Sequence, residues 1–210
     1  TMSSASSVEY GTAFTLTTTG GSGSGAVTFT TVGRCTQSNG VLTVGTVGSA
    51  CRVTATKAGD SQYNAISSAS QTITVVRGPQ AALTISSASN VAYDSSLTLT
   101  TSGGSGNGAV TYISGGTCYV SYGVLYPGAA GTPCTVRAHK DGDSNYNSID
   151  SVDFTVTVDK ADQTITVLGS AVNPYAHDYY SPFVSASSSL NVDISVDPVS
   201  SQVCSYSQGA

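Results

Sequence analysis

The stretch Cys51-Arg-Val-Thr-Ala-Thr-Lys-Ala-Gly-Asp-Ser-Gln-Tyr-Asn64 decides the fold, because the chain contains it twice. Its copy, Cys134-Thr-Val-Arg-Ala-His-Lys-Asp-Gly-Asp-Ser-Asn-Tyr-Asn147, begins 83 residues later (134 minus 51) and aligns without a gap. The same offset places Gly20-Gly21-Ser22-Gly23 on Gly103-Gly104-Ser105-Gly106. A fixed repeat of this period indicates an array of small domains, each formed by one copy.

The offset divides the chain into two full units and a remainder. It predicts a first domain at residues 1–78, a second at 79–160, and a partial or divergent third at 161–210. In the remainder the spacing is no longer constant: Ile165-Thr166-Val167 matches Leu83-Thr84-Ile85 at an offset of 82 (165 minus 83), and Cys204 matches Cys118 at an offset of 86 (204 minus 118). Domains of this size bury a modest fraction of their surface, so a covalent cross-link would stabilise them usefully.

The composition favours an all-β chain and excludes several classes of partner. Charged residues make up 9% of the sequence, against about 25% in typical globular proteins. The net charge of −5 with only 7 basic residues offers nothing to attract nucleic acid. No apolar run approaches the roughly 20 residues that span a bilayer, and no signal peptide is visible. We therefore expect neither a nucleic-acid partner nor membrane insertion.

Alternating apolar and polar residues predict the strands of each unit. In the first unit they lie near Ser3–Val8, Ala13–Thr19, Ala26–Thr31, Arg34–Gln37, Gly40–Val44, Cys51–Lys57 and Ser70–Val76. In the second unit the first strand is predicted at Leu83–Val91. About seven short strands with frequent turns are typical of an immunoglobulin-like sandwich. The predicted fold class is all-β: tandem Ig-like β-sandwich domains, two complete and a partial or variant third.

The same topology places the cysteines and the loops. The connections 20–25 and 58–64 share one pole, which should face the preceding domain, and Cys35 and Cys51 lie at the opposite pole within bridging distance. We predict disulfides Cys35–Cys51 and Cys118–Cys134, each worth about 3 kcal/mol in the chain-entropy model. Cys204 is left unpaired or with its partner missing. Regularly paired cysteines in small β units indicate an oxidising, extracellular compartment.

The segment 51–64 and its copy resemble tandem bacterial Ig-like repeats of large secreted or surface-anchored, adhesin-like proteins. In those repeats a C-x-V-x-A-x-x-x-G-[DN]-x-x-Y segment precedes the last strand. The resemblance implies a bacterial cell-surface location and a stalk or spacer function in cell adhesion. It also implies that the partners are neighbouring Ig-like domains of the same longer chain, or neighbouring subunits. The third unit departs from the pattern by carrying an aromatic-rich stretch at 173–183.

The repeated loop residues have candidate roles at the pole of each unit. Asp60 and Asp143 could belong to a calcium site, but too few carboxylates converge there, and bonds to their own loop backbone explain the repetition. We therefore predict no metal. Tyr63 and Tyr146 are predicted to pack on the core with the hydroxyl bound to loop backbone.

The sequence offers no catalytic constellation. His139 and His177 are the two histidines, and neither belongs to the repeated pattern. A serine nucleophile needs a positioned base and an orienting acid, and no such trio recurs. We expect no enzymatic activity and no cofactor.

The aromatic-rich stretch is the candidate ligand-binding segment. Flat aromatic faces with polar neighbours suit a sugar or a peptide, although a strand crossover would also use these residues. The function expected first is a rigid spacer; the alternatives are a subunit of an extracellular filament assembled by strand donation, and a carbohydrate-binding module. The candidate binding residues are Tyr175, His177, Tyr179, Tyr180 and Phe183.

Overall fold

The computed structural model describes residues 1–169 and 180–206. The chain divides into a compact unit at Thr1–Asp159, which contains both full repeats, and a second unit at Lys160–Ala210. Strands make up almost all of the regular secondary structure of the described residues, which also include one short 3-10 helix at Ser200–Gln202. Among those residues no helix is long and apolar enough to cross a membrane.

The first repeat is a sandwich of two sheets. Its strands are β1 Ser7–Glu9, β2 Phe14–Thr15, β3 Val27–Gly33, β4 Cys35–Ser38, β5 Val41–Val44, β6 Ala50–Lys57, β7 Ile66–Ser67 and β8 Gln71–Val76. The larger sheet has the order β1-β8-β6-β3, with β7 paired to β6, and the smaller has the order β2-β5-β4. The strand β1 runs parallel to β8, whereas the other pairs are antiparallel.

The second repeat has the same layers. Its strands are β9 Leu83–Ile85, β10 Asn90–Ala92, β11 Leu97–Thr98, β12 Thr101–Gly103, β13 Val110–Gly115, β14 Tyr119–Ser121, β15 Val124–Tyr126, β16 Cys134–Lys140, β17 Ile149–Asp150 and β18 Phe154–Asp159. Its larger sheet has the order β10-β18-β16-β13, with β17 paired to β16, and its smaller sheet has the order β11-β15-β14. An additional pair joins β9 to β12.

The repeated segment forms the central strand of each large sheet. Along β6 the buried residues alternate with more exposed ones, because successive side chains of a strand point to opposite faces. Cys51 and Val53 are at most 1% exposed in the first repeat, and Cys134 and Val136 are fully buried in the second. Each set belongs to its own hydrophobic cluster. The prediction of tandem all-β sandwich domains is confirmed.

The two predicted disulfides are present in the structure. Cys35 bonds Cys51 with Cα atoms 5.7 Å apart, and Cys118 bonds Cys134 with Cα atoms 5.8 Å apart. In the first repeat the bond joins β4 of the smaller sheet to β6 of the larger one. The cross-link therefore holds the two layers of the sandwich together.

The predicted first strand is wrong as a single continuous strand. At Leu83–Ile85 the chain pairs with β12, and only at Asn90–Ala92 does it pair with β18 of the other sheet. The break coincides with serines that satisfy the backbone by side-chain hydrogen bonds. The amide of Thr100 donates to Oγ of Ser87 at 2.7 Å. The first segment of the second repeat thus passes from one sheet to another at the serine-rich turn between β9 and β10. The short strands β7 and β17 also lie outside the predicted set.

The unit Lys160–Ala210 contains one described hairpin. Strand β19, Ile165–Leu168, pairs antiparallel with β20, Phe183–Ala186. All four residues of β19 are exposed, and no described residue of this unit reaches the buried class. Cys204 is free and exposed. A partial or divergent third domain at 161–210 stays a prediction.

Candidate functional site: the junction between the two repeats

An aspartate clamps two loops together at the same pole of each repeat. In the second repeat, Oδ1 of Asp143 accepts hydrogen bonds from the amides of Asn145 and Tyr146 at 2.8 and 2.9 Å. Its Oδ2 accepts from the amide of Asn107 in the glycine-rich loop at 2.9 Å. These N–H donors, that of Asn107 first, hold the pKa of Asp143 below its usual value because they stabilise the carboxylate.

The first repeat has the same clamp. The amides of Gln62 and Tyr63 donate to Oδ1 of Asp60 at 2.9 Å, and the amide of Ser24 donates to Oδ2 at 2.7 Å. The Ser24 amide is the largest cause of the lowered pKa of Asp60. Both carboxylate oxygens therefore bind backbone. Within the described residues, no group of three or more His, Cys, Asp and Glu side chains could hold a metal ion.

The clamp explains why glycine and aspartate repeat together. Gly23 and Gly106 have positive φ angles of 82° and 73°, which side chains other than that of glycine rarely adopt. A Cβ atom at either position would collide with the carboxylate of Asp60 or Asp143 respectively. The glycine-rich loops are thus shaped to receive the aspartate, and a strand follows each of them.

The clamped loop of the second repeat contacts the first repeat directly. The amide of Gly78 donates to the carbonyl of Asn145 at 3.0 Å, and the amide of Asn147 donates back to the carbonyl of Gly78 at 3.0 Å. Oδ1 of Asn145 accepts from the amide of Val47 at 3.2 Å. Gly78 begins the linker between the repeats, residues 78–82, and the linker is therefore part of a small parallel bridge between the repeats.

Aromatic packing completes this junction. The ring of Tyr146 packs edge-on against the ring of Tyr10, with centroids 5.2 Å apart and planes at 84°, a favourable geometry for an aromatic pair. Gly78 is buried there, and a Cβ atom on it would collide with the carbonyl oxygen of Tyr10. The close approach of two backbones explains why the linker begins with glycine.

Gln80 anchors the rest of the linker in the second repeat. Its side chain is 8% exposed, and its Nε2 donates to the carbonyls of Asp141 and Asn147 at 3.0 and 2.7 Å. Its Oε1 accepts from the amide of Ser105 at 3.0 Å. The buried amide is thus bonded through both of its ends, as burial of a polar group requires.

Sequence reasoning did not identify Gln80, although a signal exists. A second glutamine, Gln163, lies 83 residues later (163 minus 80) in the next linker. A polar residue repeated at the period of the fold indicates a repeated hydrogen-bond requirement. That signal lies outside the hydrophobic pattern on which the strand predictions depend.

The predicted placement toward the preceding repeat is confirmed for the loop 141–147, the counterpart of 58–64, but the predicted role of the tyrosines is wrong. This loop contacts the far pole of the first repeat through Asn145 and Val47. Tyr146, however, packs on Tyr10 of the other repeat. Tyr63 is 51% exposed, and among the described residues its hydroxyl has no hydrogen-bond partner. The tyrosine at this position contacts the neighbouring repeat, so its burial depends on whether a neighbouring module is present.

The aromatic segment of the third unit is described only in part. Tyr175, His177 and Tyr179 lie outside the described residues. The hydroxyl of Tyr180 donates to the carbonyl of Gly169, and Phe183 is 65% exposed in β20 opposite Leu168. A ligand-binding role for these five residues stays a prediction.

A different aromatic pair, absent from the sequence-based candidates, lies on the second repeat. Tyr119 and Tyr126 face each other across β14 and β15, with ring centroids 4.9 Å apart and planes at 13°. They are 60% and 37% exposed. The first repeat has Thr36 and Thr43 at these positions. The pair could have been found as two tyrosines on facing strands that only one repeat carries.

His139 replaces Thr56 of the first repeat and lies between two carboxylates. Its Nδ1 is within 2.5 Å of Asp150 and its Nε2 within 3.3 Å of Asp141. The hydrogen bond to Asp150 is the largest cause of a raised pKa, because it stabilises the charged imidazole.

We expect this arrangement to make the stability of the second repeat depend on pH. With a folded pKa raised above the unfolded value of about 6.5, His139 stabilises fully below pH 6.5, and the contribution is lost as pH rises through the folded pKa. The side chain is 35% exposed, so screening limits the effect to less than about 1 kcal/mol. Urea unfolding of the wild type and of His139→Thr should differ more at pH 5.5 than at pH 8.5. An equal difference at both values would contradict the assignment.

Comparison with known proteins finds weak structural similarity and no match by sequence. No protein-family profile matches the chain, and no curated protein matches it. Drosophila N-cadherin EC1-4 is similar over 72% of this chain and 46% of its own, at 16% identity and a TM-score of 0.28. The fibronectin(III)-like modules of Clostridium thermocellum CbhA are similar over 76% and 94%, at 16% identity and a TM-score of 0.26. The chain thus spans about half the length of the cadherin fragment.

Proposed function

We propose that this chain is a structural, non-enzymatic spacer from a secreted or surface-anchored bacterial protein of the adhesin-like kind. The observation that carries the proposal is the junction. The linker from Gly78 to Gln80 is hydrogen-bonded to the second repeat rather than free in solvent. A linker fixed in this way transmits position and force from one module to the next.

The chemistry of the chain supports an extracellular location. Disulfides persist in oxidising compartments and are rare in the cytosol, and each full repeat has one. Low charge and short, cross-linked sandwiches suit a module that must resist unfolding outside the cell. The partners proposed are neighbouring modules of the same kind.

Three of the side chains that could do chemistry are engaged in structural roles. Asp60 and Asp143 bind backbone amides through both oxygens. His139 is held between Asp141 and Asp150 on the surface of the second repeat. These contacts favour a mechanical function over a catalytic one.

Small-angle scattering of the full 210-residue chain tests the spacer function. A compact globule of this length would have a radius of gyration of roughly 17 Å, and a spacer should exceed that value clearly. The matched control inserts a segment of six residues, alternately Gly and Ser, between Arg77 and Gly78. The insertion separates the first repeat from the linker residues that bind the second repeat, so the distance distribution should broaden. A radius near the compact value for the wild type would contradict the proposal.

A second candidate function rests on the exposed pair Tyr119 and Tyr126. The two rings border an open groove of about 400 Å³ that also includes Tyr93 and Asp94. Exposed aromatic faces beside a carboxylate suit a carbohydrate. Glycan screening with the wild type, and with Tyr119→Thr/Tyr126→Thr as the control that copies the first repeat, tests this function. Equal binding by both proteins, or by neither, would count against it.

A further inference from the structure

The first repeat has an open groove at the pole where Asp60 binds the glycine-rich loop. The groove has a volume of about 210 Å³, and its lining includes Gly21, Val27, Lys57 and Ile66. Val27 is 40% exposed and Ile66 is 64% exposed. Two apolar side chains are therefore left facing solvent at the edge of a sandwich whose core is otherwise well packed.

The corresponding place in the second repeat is closed by its own linker. Leu83 is 3% exposed there, and it begins the strand that pairs with β12. Val110 and Ile149, which correspond to Val27 and Ile66, are half-buried.

The polar anchors of the linker also have counterparts in the first repeat. Gln80 binds the carbonyls of Asp141 and Asn147 and the amide of Ser105. The offset assigns these roles to the carbonyls of Ala58 and Asn64 and to the amide of Ser22. Within the described residues these three groups have no hydrogen-bond partner.

The loops that present these groups have the same frame in both repeats. The amide of Asp60 donates to the carbonyl of Tyr63 at 2.9 Å, and that of Asp143 to the carbonyl of Tyr146 at 3.0 Å. Each aspartate also reaches the glycine-rich loop beside it. The pole of the first repeat therefore has the same arrangement as that of the second, which already binds a linker and the neighbouring Tyr10. The shared features are the apolar edge, the three backbone groups and the tyrosine, here Tyr63.

We propose that this pole of the first repeat is a docking site for an extended Gly-Pro-Gln-Ala-Ala-Leu segment. The segment is supplied by a module of the same kind, whose tyrosine at the position of Tyr10 packs on Tyr63. The glutamine amide binds the carbonyls of Ala58 and Asn64, and the leucine covers Val27 and Ile66. This inference rests on the proposed spacer function and names the contact through which a further module joins.

The test uses the 210-residue chain extended before Thr1 by Gly-Pro-Gln-Ala-Ala-Leu. The matched control carries Gly-Pro-Leu-Ala-Ala-Leu, which keeps the apolar contact but removes the amide. Amide hydrogen exchange is measured by NMR at Ser22, with Ser105 of the second repeat as the internal reference. We expect the glutamine form to slow exchange at Ser22 at least about tenfold relative to the control, and Ser105 to be unchanged.

A second arm supplies the segment in trans. The C-terminally amidated peptide Gly-Pro-Gln-Ala-Ala-Leu is titrated into the unextended chain, whose Thr1 and Met2 already pair with Thr19 and Thr18, and shifts are expected at Ser22, Ala58 and Asn64 but not at their counterparts in the second repeat. Equal exchange at Ser22 in both extended forms would overturn the proposal. That result leaves the scattering test unaffected, whereas a compact radius of gyration with a protected Ser22 would refute the spacer function alone.

Discussion

Replacing Cys51 by alanine is expected to lower the free energy of unfolding of the first repeat by about 2–5 kcal/mol. The bond to Cys35 joins the smaller sheet to the larger one and restricts the unfolded chain. Its loss therefore raises the conformational entropy of the unfolded chain. Cys51 is also 1% exposed, and its removal leaves space in a close-packed core. The second repeat, which has its own hydrophobic cluster, should keep its stability.

Urea unfolding, monitored by NMR signals assigned to each repeat, measures this effect. The control Cys35→Ala/Cys51→Ala removes the free thiol as a separate cause, and Cys134→Ala should transfer the loss to the second repeat. A loss below about 0.5 kcal/mol in the first repeat would show that the disulfide is not what holds its sheets together.

Replacing Gln80 by alanine is the second change with a large expected effect, a loss of about 1–3 kcal/mol in the second repeat. The variant leaves the carbonyls of Asp141 and Asn147 and the amide of Ser105 without the partner that they have in the native protein. These hydrogen bonds are partly buried, and partly buried polar groups that lose their partners incur a desolvation cost. The loop that faces the first repeat should therefore become less stable.

Gln62→Ala provides the matched control, because Gln62 lies in the corresponding loop of the first repeat and its side chain is exposed. Surface substitutions of this kind usually change stability by less than about 0.5 kcal/mol. Urea unfolding measures the loss of unfolding free energy in each variant relative to the wild type. If the two variants lose equally little, the linker is not anchored through Gln80.

The sequence predicts the sandwich well because its central strands carry a strong local signal. In 51–57 and 134–140 the apolar residues alternate with polar ones, and burial of one face follows directly from the pleat of a strand. The two cysteine pairs recur at the same offset, and the topology brings them to one pole. Both observations depend only on local pattern and on the order of strands.

The junction could be predicted only in part, because its energetics depend on a neighbouring module. Tyr63 and Tyr146 are the same residue in the same loop, yet one is exposed and the other packs on Tyr10. Nothing in the surrounding residues distinguishes the two. The break in the first strand was also missed, because Ser87 competes for the backbone through a side-chain hydrogen bond that hydrophobic periodicity does not report.

Residual dipolar couplings of the full chain test most directly the central claim that the junction fixes the two repeats relative to each other. In a weakly aligning medium, amides of residues 1–77 and of residues 81–159 should fit a single alignment tensor, because the bonds of Gly78, Gln80 and Asn145 join the repeats. Two tensors that differ in magnitude or direction would show independent motion of the repeats and contradict the account.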